Sequence, residues 1–116
     1  MSLDRTVVGA HYGWRDFAVQ RLSGIVIVVY TVWLLSELLV LPELTYGNWA
    51  GLFATMRMKV ATSVAMIAVA YHAWIGVRDI FMDYIKPAML RLALQASAIV
   101  LLIGYVVWAF TILWRV

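Results

Sequence analysis

The chain contains no cysteine. Disulfides, thiolate zinc sites and cysteine-ligated iron–sulfur clusters are therefore excluded from it, and the redox compartment stays open. Proline is scarce as well, with only Pro42 and Pro87, and both fall between apolar runs. Charge is the third shortage. Asp, Glu, Lys and Arg make up 13% of the 116 residues, against roughly 25% in a soluble domain. There is no dinucleotide fingerprint, internal repeat or low-complexity tract. Hydrophobic residues, by contrast, make up 66% of the chain, and the few charges cluster between long apolar runs. That pattern defines a membrane protein. The net charge of +3 lies at the ends of those runs, which reads as topology information and not as a nucleic-acid footprint.

Three spans can be drawn, at about residues 22–41, 60–81 and 92–114. Each is near the ~20 residues that carry a helix across a ~30 Å hydrocarbon core. Only helices and closed barrels satisfy the backbone in lipid, and these runs lack the alternation of barrel strands. The expected fold is an all-α membrane protein, with residues 1–116 forming one transmembrane domain of three helices. The first apolar run begins late, is long and has no small-residue cleavage site after it, so it is expected to be retained. Between the first two spans, residues 44–53 read as a short interfacial turn or helix, since Trp and Tyr favour that zone. Residues 11–17 read as an aromatic, charged lead-in at the headgroup layer.

Lys and Arg set the orientation. Arg5, Arg15 and Arg21 precede the first span, and Arg78, Lys86 and Arg91 lie around the loop after the second. With three spans these regions share a side. Arg57, Lys59 and Arg115 lie on the other. The positive-inside rule then places the N-terminus in the cytoplasm and the C-terminus in the periplasm of a bacterial inner membrane.

His72 is the lone imidazole inside a span. An ionisable side chain in lipid is costly and marks a function by default, and imidazole is a common axial ligand of haem iron. At about 100° per residue, Ala65, Ala68, His72, Gly76, Asp79 and Asp83 fall on one stripe. Small residues there admit a second helix, or a flat macrocycle, close to the backbone. The plain alternative is a helix-packing face with His72 hydrogen-bonded across it. The only other histidine, His11, precedes the first span and is expected at the surface. If His72 binds haem, the second ligand therefore comes from another chain.

Asp83 and Tyr84 fall where the second span ends, before Pro87. As anchors they need no further role, because Tyr is common at that depth. As chemistry they offer a phenol that can donate to a quinone carbonyl and a carboxylate that can pass protons. Arg21 reads either as a snorkelling topology charge or as the partner of a carboxylate such as a haem propionate. Glu37 is expected at the outer interface, and Arg78 and Asp79 are expected to neutralise one another.

These residues match a family. Tyr71-His72-Ala73-Trp74-Ile75-Gly76, then Asp83-Tyr84-Ile85-Lys86-Pro87, then Leu90-Arg91-Leu92, resembles the small hydrophobic membrane-anchor subunit of bacterial succinate dehydrogenase. Arg15-Asp16-Phe17 with Arg21, and Glu43-Leu44-Thr45-Tyr46, fit the same pattern. The resemblance covers roughly residues 13 to 116, and its most specific part is the spacing from His72 to Asp83-Tyr84. It implies a three-helix subunit packed with a second three-helix anchor, the cytochrome b anchor subunit. Together they would hold one b-type haem and dock an iron–sulfur subunit and a flavoprotein subunit on the inner face. FAD and iron–sulfur clusters would reside only in those partners. The resemblance also implies roles: His72 as an axial ligand of the haem iron, Tyr84 as hydrogen-bond donor to ubiquinone, Asp83 as its acidic neighbour, and Arg21 near the haem propionates and quinone pocket. Two alternatives stand beside it. One is the anchor of a related fumarate reductase. The other is a non-redox assembly subunit or small transporter, against which the almost wholly apolar first and third spans argue.

Overall fold

The computed structural model describes residues 10–116, with side chains from Gly13 onward. Arg5 and the side chain of His11 lie outside the described residues. Four helices follow in order: α1 (Ala10–Leu39), α2 (Tyr46–Ala54), α3 (Met56–Tyr84) and α4 (Ala88–Arg115). Among the described residues there is no strand. The all-helical expectation holds, and α1, α3 and α4 are each long and apolar enough to cross a membrane.

All three long helices outrun the expected spans. They hold 30, 29 and 28 residues, or about 42–45 Å at 1.5 Å per residue, against ~30 Å of hydrocarbon. Hydropathy marks only the lipid-immersed stretch, whereas helix ends are set by caps and turns. The lead-in at residues 11–17 is already helix. Asp83 and Tyr84, just past the expected end of the span at residue 81, are the last two residues of α3. The chain leaves helical conformation only at Ile85 (φ −101°, ψ 108°) and Pro87 (φ −63°, ψ 124°).

Local chemistry accounts for the other boundaries. Leu39 ends α1 three residues before Pro42, whose ring disfavours helix in the residue before it. Thr45 starts α2 by accepting from Asn48 N–H at 3.2 Å. Thr55 is extended (φ −70°, ψ 144°) and serves as both the end of α2 and the cap of α3. Its hydroxyl accepts from Met58 N–H at 3.3 Å and donates to Leu52 O at 3.0 Å. A capping hydroxyl of this kind is worth ~1 kcal/mol.

The third helix is central. It packs against both α1 and α4, while the short α2 touches α3 and α4. Little is enclosed: among the described residues Leu52, Met58, Ala65, Ile75 and Leu113 are the buried apolar residues, with Ser23 the one buried polar residue. Val28, Val29, Val32, Leu101, Ile103 and Trp108 are among the large side chains that face outward. Helices apolar on every face belong in lipid or against other apolar helices.

Candidate functional site

The contact between α1 and α3 is a ladder of polar pairs. Asp16 pairs with Arg78. Ser23 Oγ lies 3.1 Å from His72 Nδ1. Tyr30 Oη lies 2.7 Å from Thr62 Oγ1. Glu37 Oε1 lies 3.3 Å from Arg57 Nη2. On α1 the four rungs recur at heptad spacing (Asp16, Ser23, Tyr30, Glu37). That is two helical turns, the repeat that keeps one seam facing a left-handed partner. The partners on α3 run the opposite way, as two antiparallel helices require.

His72 occupies the second rung and is half-buried. The hydroxyl of Ser23, buried in the interface, also reaches Gln20 O at 3.1 Å. A serine has one proton and two lone pairs. A carbonyl can only accept, so that proton goes to Gln20 O. Ser23 Oγ then accepts from His72 Nδ1–H. In the neutral ring this places the proton on Nδ1 and leaves the lone pair of Nε2 unused. Gly24 faces the ring here: a Cβ on it would stand 3.6 Å from His72 Cε1 and 3.9 Å from Nδ1, ordinary contact distances. Gln20 Oε1, one turn back on α1, is buried with no hydrogen-bond partner among the described residues. The packing expectation for His72, a hydrogen bond across a small-residue face, is therefore realised on one ring nitrogen, and the other remains available.

Arg21 sits two residues before Ser23 and is exposed. Its guanidinium lies over the ring of Phe17, 5.0 Å from the centroid. With Gly24, Ile25, Val28 and Val29 it lines an open groove of about 400 Å³. Gly24 is common to both features, since it lines this groove and also stands against the imidazole.

Asp83 and Tyr84 end α3, about 16–18 Å along the helix from His72. Both are exposed, Tyr84 at 76%, and neither side chain has a hydrogen-bond partner among the described residues. The structure brings His72, Ser23 and Gly24 together. It leaves the Asp-Tyr pair well separated from them.

Two charge expectations hold and are extended. Arg78 pairs with Asp79, at 3.8 Å, and more closely with Asp16 on α1. Adjacent residues on a helix point in directions about 100° apart, so the closer partner comes from the facing helix. Glu37 does more than reach the interface. It accepts from Trp33 Nε1 at 3.0 Å and pairs with Arg57, whose guanidinium lies over Trp33.

Sequence reasoning missed Ser23, Gln20 and Tyr30–Thr62. The available signal was the heptad spacing of Asp16, Ser23, Tyr30 and Glu37, the polar residues that carry the seam through an otherwise apolar helix.

The chain resembles known proteins over nearly its whole length. The Succinate dehydrogenase/Fumarate reductase transmembrane subunit family matches residues 1–113. A succinate dehydrogenase hydrophobic membrane anchor subunit from Coxiella burnetii (strain RSA 493 / Nine Mile phase I) is 39% identical over 112 residues. Those residues span 97% of this chain and 95% of the relative.

Proposed function

Because the chain belongs to the succinate dehydrogenase/fumarate reductase transmembrane subunit family, we propose that it is the small hydrophobic anchor of a bacterial succinate:ubiquinone oxidoreductase. It pairs with a cytochrome b anchor subunit and attaches an iron–sulfur subunit and a flavoprotein subunit to the inner face of the cytoplasmic membrane. The name borne by its 39% identical relative favours succinate oxidation over fumarate reduction.

One observation carries the haem assignment: Nδ1 of His72 is tied to Ser23, so Nε2 keeps a free lone pair inside the bilayer. Ligating histidines almost always donate their other ring N–H in this way. The surroundings suit a haem edge. Gly24 borders both the ring and the groove beside it, and Arg21 offers a guanidinium whose fork fits a carboxylate such as a propionate. A bound b-type haem supplies a one-electron redox centre at this depth. The chain's own residues would hold it: His72 through Nε2, with its ring plane fixed by Ser23, and Arg21 toward a carboxylate. A second imidazole would come from the partner anchor.

Quinone reduction lies at the C-terminal end of α3. Tyr84 donates its phenol hydrogen to a ubiquinone carbonyl. Asp83 relays protons from water as the quinone takes up two electrons and two protons. The electrons arrive from the cluster subunit docked at the same face. The exposure of both side chains supports the reading, since a site shared with other subunits must be open in this one.

The test is ferric haem spectroscopy of the purified complex carrying His72→Ala. The expected result is altered axial coordination and a perturbed b-type spectrum, with haem retained or not according to the partner's ligand. An unchanged low-spin bis-imidazole signal overturns the assignment of His72.

A further inference from the structure

Ser23 is the one polar side chain buried in the described structure, and its hydroxyl serves both helices. It donates to Gln20 O one turn back on α1 and accepts from His72 Nδ1–H on α3. The first bond is common for serine in an apolar helix. The second is not, and it depends on the first. With its proton committed to Gln20 O, the oxygen can only accept from the imidazole. The ring must then carry its proton on Nδ1, and Nε2 must be the basic nitrogen.

We propose that Ser23 is a positioning residue for His72: it selects the imidazole tautomer, fixes the ring plane against Gly24, and sets the donor strength of Nε2. The proposal rests on the reading of His72 as a haem ligand. Its physical basis is that an acceptor on the distal N–H of an imidazole raises the basicity of the coordinating nitrogen, and removing such a partner typically weakens metal binding 10–100-fold. A stronger donor stabilises ferric iron more than ferrous iron. Without the hydroxyl, Nδ1–H would lose its partner on α1. The ring would then rotate away, or move its proton to Nε2 and lose the lone pair that ligates. Tyr30 and Thr62 lie too far along the seam to take over the bond, as each is about two turns or more from this level. Gln20 Oε1, one turn back on α1, is a buried oxygen with no partner among the described residues; a bond to it would come from a different direction and turn the ring.

The test uses the complete purified complex with Ser23→Ala and Ser23→Thr, alongside His72→Ala. Ferric haem is read by electron paramagnetic resonance and its midpoint potential by optical redox titration, neither of which needs turnover. In Ser23→Ala the ratio of ferric to ferrous affinity should fall about threefold to tenfold. That is a rise in potential of about 28–59 mV at 59 mV per tenfold for one electron, with changed low-spin anisotropy. Ser23→Thr keeps the hydroxyl and should restore both values. If the alanine complex does not assemble, Ser23→Cys replaces it; the weaker sulfur acceptor should shift the potential the same way. Wild-type potential and anisotropy in the variant lacking the hydroxyl overturn the proposal. So do equal shifts in the alanine and threonine variants, because a packing role would move both. The His72→Ala arm separates the two readings. A bis-imidazole signal unchanged there removes the ligand assignment itself, whereas a changed one with silent Ser23 variants removes only the role of Ser23.

Discussion

Tyr84→Phe isolates one atom. The ring is 76% exposed at the last position of α3, and among the described residues its hydroxyl bonds to nothing. Removing that oxygen strands no buried partner and opens no cavity, so fold, assembly and haem content should stay as they are. Any functional loss must then come from a group that approaches from outside the chain. A single hydrogen bond to substrate is worth about 0.5–1.5 kcal/mol. At 1.36 kcal/mol per tenfold in rate, quinone reduction should fall about two- to thirteenfold, and further if the phenol stabilises charge developing on the quinone oxygen. The assay compares two acceptors in one preparation. Ubiquinone turnover should drop, while succinate oxidation with an artificial acceptor that draws electrons upstream should stay within experimental scatter of the wild type. Asp83→Asn is the companion, since it keeps the shape and removes the proton carrier. Quinone turnover and inhibitor sensitivity intact in both variants would refute the reasoning and make the pair an interfacial anchor. Equal losses with both acceptors would refute it differently, by locating the damage in assembly.

Two further outcomes are expected. Reporter fusions should find the N-terminus cytoplasmic and the C-terminus periplasmic; a C-terminal reporter active only in the cytoplasm reverses the orientation and moves Tyr84 to the outer face. Tyr30→Phe and Thr62→Val should each destabilise the complex by about 0.6 kcal/mol, and by no more than ~1.7 kcal/mol. In a double-mutant cycle of detergent unfolding the pair should cost little more than either change alone; full additivity would show that the 2.7 Å contact contributes nothing.

The three spans were legible because long apolar runs in lipid have one solution, helix with every backbone group paired. The ends were not. Residues 10–21 are polar and aromatic, so nothing in their hydropathy extends a span. What supports helix there is tertiary: Asp16 meets Arg78 on the neighbouring helix. Arg78 also reaches Asp79, as adjacency in sequence suggested, but its closer partner on the facing helix was not legible from the sequence. His72 stood out as a lone imidazole in an apolar run. Ser23 did not, because a serine in such a helix usually satisfies itself on its own backbone. Ser36, Ser63, Ser97, Thr31 and Thr111 all do so here. Only the facing helix reveals that Ser23 does this and also holds a second partner.

The four rungs between α1 and α3 act as teeth. Sliding one helix past the other by a single turn, ~5.4 Å, would unmesh all four together, with two of them at depths where no water can replace the lost partner. The hairpin of the first two spans is thus keyed, and it enters the assembled complex with its depth already decided. The last helix has no such teeth. Its side meets α3 through apolar packing, and the polar tether is Lys59 to Val116 O, at one end. When the bilayer is thicker or thinner than the helices prefer, α4 can tilt about that tether with no seam of hydrogen bonds to break among the described residues. The strain is taken there, and the imidazole stays at its level.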